Sequence, residues 1–333
     1  MTKYYSDTSK MYSPKRTQLG LTMVELLVAI ALQGFLLATI SYVYVSSKQT
    51  YVMGSELQKV QNDGRYLVDL LGFEIRAIGY SGCRSLDELT PHVIATDPPS
   101  FDNLSDALVG YENGAGWTPP TGYTAKAGSD VLSFRFASGG GASLTGNMVT
   151  ENSNLQIAGN PDEIKAGDLL IVSDCASADI FRASNVSNST GNITIAHANN
   201  VNDSNKLQKA YSEDALLLTF SNITYFVDDN GGLYRIDDDA NPQLLLSTIE
   251  NIQFQYAVDT GGDSSPDGYE DATGVDDWGD VQGILVGILA ASPTEPVDEP
   301  QPYTFNGVDA NSGADRRLRK DFWSYSDIRN RSK

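Results

Sequence analysis

The sequence predicts an α+β protein in which a long N-terminal helix, membrane-length over its first half, packs on a C-terminal antiparallel β-rich globular domain. Three observations carry this. Leu21 to Val45 is almost wholly apolar, an apolar stripe at helical spacing then runs on to Ile78, and from Gly79 onward short β-type runs alternate with turns rich in Gly, Asn and Asp. The composition agrees: of 333 residues, 41% are hydrophobic, only 20% are charged and 30 are glycine. A formal charge of −20 argues against a nucleic-acid partner, since phosphate binding depends on Lys and Arg. Two histidines, His92 and His197, leave little material for His-based metal sites or general-base catalysis, so the composition tilts away from an enzyme.

The first element is the apolar run. Its 25 residues, LTMVELLVAIALQGFLLATISYVYV, span roughly 37 Å as a helix, enough to cross a hydrocarbon core of about 30 Å with some tilt. Residues 1–20 carry Lys3, Lys10, Lys15 and Arg16 against Asp7, a net charge of +3 that holds this end in the cytoplasm by the positive-inside rule. Everything after Lys48 is then exported, and without the first 20 residues the chain stands at −23. The one formal charge inside the run is Glu25. A carboxylate in an apolar segment costs a few kcal/mol near the bilayer centre and less near its edge, and such residues usually mark function. A secretory signal gains nothing from it; Ala29-Ile30-Ala31 has the small-x-small form of a cleavage site, yet apolar sequence continues well past it.

Gly20-Leu21-Thr22-Met23-Val24-Glu25-Leu26-Leu27-Val28-Ala29-Ile30 resembles the class III signal of type IV pilins and type II secretion pseudopilins. The resemblance implies that prepilin peptidase cuts after Gly20, that the new N-terminus is methylated at Leu21, and that Glu25 becomes mature residue five. Leu21 departs from the usual phenylalanine, and a leader of 20 residues is long; a start at Met11 would leave ten, keeping Lys15 and Arg16. In a filament, Glu25 of one subunit would pair with a neighbour's N-terminal amine, offsetting the desolvation of both charges and fixing axial register. The alternative is a glutamate that only snorkels to the headgroups.

The second element is the rest of the helix. Leu57, Val60, Gly64, Leu67, Leu71, Ile75 and Ile78 follow 3/4 spacing, with Lys59, Asp63, Asp69 and Arg76 between them, as a spine packing one face on its own domain requires. Gly54, Gly64 and Gly72 each weaken a helix by up to about 1 kcal/mol relative to Ala, which points to local bending, and Gly79 suits a C-cap. A helix over 21–78 would be on the order of 87 Å long. The third element is the β-domain, with expected strands at Val131 to Phe136, Leu169 to Val172, Ile180 to Phe181, Ile193 to Ile195, Leu216 to Val227, Leu233 to Ile236, Ile249 to Val258 and Ile284 to Ala290. Asp229-Asn230-Gly231-Gly232 marks a hairpin, and Ser184 to Asn205, rich in Ser, Asn and Thr, reads as exposed surface.

Cys83 and Cys175 both fall on the exported side, where oxidising conditions favour pairing, and a disulfide between them would tie the end of the spine to the β-domain. A nucleophilic cysteine served by His92 or His197 lacks a supporting motif. Asn62-Asp63-Gly64-Arg65, Gly79-Tyr80-Ser81-Gly82-Cys83, Val172-Ser173-Asp174-Cys175 and Asp315-Arg316-Arg317-Leu318-Arg319-Lys320 together resemble PilW-type minor pilins, across nearly the whole chain. The basic run Arg316 to Lys320 is either a docking patch for an acidic partner or a solvated approach to the last strand.

The resemblance implies a type IV pilin-like fold with a leader (1–20), a spine helix (21–78, membrane-spanning over 21–45) and an exported β-rich domain (79–333). It also implies a low-abundance, non-enzymatic subunit that primes pilus assembly near the tip. Its expected partners are other minor pilins, the major pilin, prepilin peptidase, the inner-membrane assembly platform and a tip adhesin. Its expected location is the bacterial inner membrane before assembly and the pilus afterwards. The alternatives are a pseudopilin of type II secretion and, in a different class, a membrane-tethered adhesin or hydrolase, although no nucleophile elbow, phosphate loop or His/Cys metal cluster supports catalysis. No cofactor is expected. Asp259, Asp263 and Asp267, in a loop with five further carboxylates, invite calcium, but their four-residue spacing departs from the Asp-x-Asp-x-Asp-Gly pattern and favours an acidic solvated loop.

Overall fold

The structure is a computed structural model and describes residues 20, 22–96, 106–188, 191–238, 241–311 and 315–331. Its longest element is the helix Met23–Ala77, and the chain divides into two compact units, residues 1–52 and 53–333. In the first unit every residue from Met23 to Tyr51 is exposed. The helix here is long and apolar enough to cross a membrane, and it presents apolar side chains all round, as a segment solvated by lipid must.

In the second unit the helix buries Val60, Leu67, Leu71 and Ile75 in one core with Ile252, Phe254, Ile284, Val286 and Ile288. This is the stripe expected from the sequence, except that Leu57 is 38% exposed and the stripe starts one turn later, at Val60. Just past the helix, Gly79 takes a φ of +75° and its N–H donates to Arg135 O (2.9 Å), so the chain turns into the sheet where a residue with a Cβ would be strained.

Two main sheets make up the β-rich unit. The larger runs His92–Val93, Ala178–Arg182, Leu169–Ser173, Leu216–Val227, Leu233–Asp237 and Gln243–Leu246, and the long strand Val131–Ser143 pairs both with Leu216–Val227 and with Leu108–Tyr111. The smaller runs Gly268–Glu270, Ile249–Val258, Val281–Ala291 and Arg319–Asp327. Pairing is antiparallel throughout these sheets apart from His92–Val93, which lies parallel to Ala178–Arg182. The expected hairpin is present: Val227 pairs with Leu233, and Gly231 and Gly232 take φ values of +96° and +91°.

One expectation fails. The segment 184–205 is not simply exposed surface: strands Asn185–Asn188 and Ile193–Ala196 join Leu155–Ile157 in a third sheet, and Ile193, Ile195, His197 and Asn202 are buried. Its polar residues go inside because they bond backbone. Arg182 N–H donates to Asn202 Oδ1 (2.7 Å), while Asn202 Nδ2 donates to Arg182 O and Ala198 O.

The helix glycines have a packing role that the sequence does not reveal. A Cβ on Gly64 would lie 2.2 Å from Phe322 of the last strand, and one on Gly72 would lie 3.2 Å from Ser326 Oγ. The bare helix surface therefore admits the Phe322 ring. Gly64→Leu is expected to destabilise the unit by about 1–3 kcal/mol through overpacking, and adding Phe322→Ala should recover part of that loss. Thermal melts of both singles and the double test this; strictly additive losses would contradict the contact.

Candidate functional site

At the head of the helix, Thr22 and Glu25 close a reciprocal pair. Thr22 N–H and Thr22 Oγ1 each donate to Glu25 Oε2 (3.0 Å), and Glu25 N–H donates back to Thr22 Oγ1 (3.3 Å). This is a capping box, which satisfies backbone donors that a helix start leaves open. The Thr-x-x-Glu spacing carried that signal in the sequence, and it gives Glu25 a local role in addition to any intermolecular one. Gly20 is exposed at the approach to the helix, whereas Leu21 and residues 1–19 lie outside the described residues.

At the far end of the helix, four devices hold it to the sheet domain. Cys83 and Cys175 form a disulfide with their Cα atoms 5.5 Å apart, joining the turn after the helix to the loop after Leu169–Ser173. Asn330 Nδ2 donates to the helix-end carbonyl Ile78 O (3.0 Å). The buried Arg331 guanidinium donates to Asp87 Oδ2 and to Trp278 O and Val281 O. The fourth device lies inside the apolar stripe: Glu74, buried on the helix, accepts from Tyr225 Oη (2.7 Å) and pairs with Arg235 (3.1 Å). Burial pushes the Glu74 carboxyl up, against the hydrogen bond from Tyr225 and the charge of Arg235. Periodicity alone misses Glu74, because a charge at a core position is unreadable without its partners on another element.

The histidines have structural partners. His92 Nδ1 lies 2.6 Å from Asp179 Oδ1, whose other oxygen accepts from Tyr211 Oη (2.6 Å), and His197 Nε2 lies 3.0 Å from Ser153 O. Both cysteines are committed to the disulfide, so neither is a free nucleophile.

Residues 224–330 match the family model PilW, the type IV pilus-assembly protein W. The C-terminal region of the chain is a PilW domain. A comparison with curated proteins gives no match to the chain. The matched stretch begins within the strand Leu216–Val227, takes in the whole smaller sheet and ends at Asn330, the residue that bonds the helix end. The chain thus joins a C-terminal region that matches type IV pilus-assembly protein W to an N-terminal helix long and apolar enough to cross a membrane.

Within the PilW domain, the acidic loop is organised by its own backbone. Asp259 accepts from Gly262 N–H (2.7 Å) and Ser264 N–H (2.6 Å), Asp263 from Ser265 N–H (3.0 Å), and Asp267 from Thr260 N–H and Oγ1 and from Gly261 N–H. These bonds hold Asp267 below the usual carboxylate range. Among the described residues no group of three or more His, Cys, Asp or Glu side chains is placed to hold a metal ion, and Asp259, Asp263 and Asp267 serve as turn-forming acceptors.

Three cations of the basic run are engaged by carboxylates of the same domain, while Arg316 and Lys320 stay exposed. Arg319, almost fully buried, pairs with Glu250 (2.6 Å) and Asp315 (2.5 Å) and lies over the Tyr303 ring. Arg317 pairs with the same two carboxylates, and Arg316 pairs with Glu295. Arg317 and Arg319 therefore clamp the start of the last strand instead of offering a docking patch. The two guanidiniums hold the Asp315 carboxyl at about 2 and Glu250 below its ordinary value. Because the folded-state value of Asp315 is depressed, its stabilisation is complete above the unfolded value near 4 and is lost as pH falls towards about 2. Asp315→Asn is expected to flatten the acid limb of the stability curve in that window. Melting temperatures between pH 2 and 5 test it, and an unchanged slope would show that the pairs do not form in solution.

Proposed function

We propose that this chain is a minor pilin, a low-abundance subunit that primes type IV pilus assembly within a tip complex. The observation that carries the reading is one chain holding both a membrane-length apolar helix headed by Gly20-Leu21-Thr22-Met23-Val24-Glu25 and a PilW domain fastened to that helix. In this reading residues 1–20 are removed by prepilin peptidase, Leu21 is methylated, and the β-rich domain faces the periplasm while the helix waits in the inner membrane. The protein then passes into the filament alongside other minor pilins, the major pilin and an adhesin at the tip. Its role is to supply shape and contacts, with no catalytic step.

Peptide mass spectrometry of sheared pili is expected to find an N-terminal peptide starting at Leu21 with a methylated amine; residues 10–20 still joined to Leu21, or a start after Ala31, would remove the basis of the reading. Deleting the gene should reduce surface pili while leaving type II secretion unchanged. The reverse pattern would assign the chain to a secretion pseudopilus.

A further inference from the structure

The outer face of the smaller sheet, opposite the helix, carries an aromatic surface that nothing above uses. Along Arg319–Asp327, Phe322 and Ser326 face the helix, so Asp321, Trp323, Tyr325 and Asp327 share the other face. On the neighbouring strand their partners include two glycines, Gly287 opposite Trp323 and Gly283 opposite Asp327. A Cβ on Gly287 would lie 2.5 Å from the Trp323 ring and one on Gly283 would lie 2.3 Å from Tyr325 Oη, so both aromatic side chains reach across the strand and occupy the room the glycines leave. Tyr269 meets Tyr325 edge-on at 6.2 Å, and Phe305 of the hairpin Pro302–Phe305/Val308–Asn311 meets Trp323 at 5.6 Å. Despite this packing, Trp323, Tyr325 and Tyr269 stay 40%, 37% and 54% exposed.

The charges beside the rings have one sign. Asp321 accepts from Trp323 Nε1 (3.1 Å) and Asp327 bonds the Tyr325 hydroxyl; both carboxylates are exposed and have no ion pair among the described residues. The cation on the same face of the strand, Arg319, is consumed by Glu250 and Asp315. A ring face is the negative side of an aromatic quadrupole, and a guanidinium can stack on it while its N–H fork reaches a carboxylate. We propose that Trp323, Tyr325 and Tyr269, with Asp321 and Asp327, form a docking surface for an arginine-bearing segment of another protein. Charge complementarity selects this occupant over a neutral glycan, which would use the rings but gain nothing from the two carboxylates beside them. A second copy of this chain is disfavoured by its charge of −20.

The test is calorimetric titration of the full chain in detergent with an acetylated, amidated (Gly-Arg)4 peptide at low salt. Saturable binding is expected, weaker for the lysine analogue and about tenfold weaker for Trp323→Ala and for the pair Asp321→Asn and Asp327→Asn. Trp323→Phe, which keeps a ring, should retain most of the affinity and guards against loss of fold, and Asp263→Asn with Asp276→Asn in the acidic loop should leave binding unchanged. No binding, equal binding by every variant, or binding of chitotetraose at Trp323 without competition by the peptide would overturn the proposal.

Discussion

Cys83→Ser is expected to lower the melting temperature of the globular unit sharply and to reduce the steady-state level of the protein. The bond closes a loop across a separation of 92 residues, for which the chain-entropy treatment gives a stabilisation of roughly 4 to 5 kcal/mol as an upper figure. That is a large share of the 5–15 kcal/mol over which folded domains are usually stable. The location adds to the effect, because the bridge braces the turn that leads from the helix into the sheet, next to Tyr80 O, which accepts from Ala137 N–H (2.6 Å). Reductant should shift the melt of the native chain towards that of the variant and leave the variant unmoved. Equal melting temperatures, or ready labelling of both thiols in native non-reduced protein, would contradict this.

Glu25→Gln is expected to abolish or strongly reduce incorporation into filaments while leaving membrane insertion and cleavage after Gly20 intact. The substitution separates two roles that Glu25→Ala removes together. Glutamine at this position still accepts from Thr22 N–H and Oγ1 and so keeps the capping box, worth about 1 kcal/mol to the helix start. It cannot neutralise a neighbour's ammonium in an apolar surrounding, and leaving one buried charge unpaired costs about 3–5 kcal/mol. Membrane fractionation, N-terminal mass and abundance in sheared pili give the answer together. If Glu25→Gln assembles normally and Glu25→Ala does not, capping is the residue's whole contribution and the charge-pair mechanism is wrong.

The elements that the sequence reveals are those with strong local signals. Leu216 to Val227 and Ile249 to Val258 are observed as read, because each is a long β-branched and aromatic run bounded by turns. The last strand, Arg319–Asp327, is missed as a run because its alternation is Asp, Phe, Trp, Ser, Tyr, and the residues that bury it are two glycines and a helix far away in the chain. Long-range identity explains the other misses too. Glu74 at a core position makes sense only beside Tyr225 and Arg235, and the Arg317 and Arg319 cations only beside Glu250. The N-terminal motif is local, and the part of it that the structure shows is the cap that Glu25 forms with Thr22. The partner proposed for Glu25 belongs to another molecule, so intrachain geometry does not contain it.

The fastening of the helix end by Asn330, and of the segment after it by Arg331, sets an order of events during folding. Phe322 fills the notch at Gly64, Asn330 caps the helix carbonyls and Arg331 reaches Asp87, contacts separated by about 250 residues and all contributed by residues 322–331. The unit therefore cannot close until residues 319–331 have been made and delivered, and a high contact order of this kind slows the final step of folding. A chain still emerging stays open and threadable, and one that stalls before residue 319 exposes the groove around Gly64 as a ready target for proteolysis. Commitment to the native state therefore waits on the arrival of residues 319–331 at the helix.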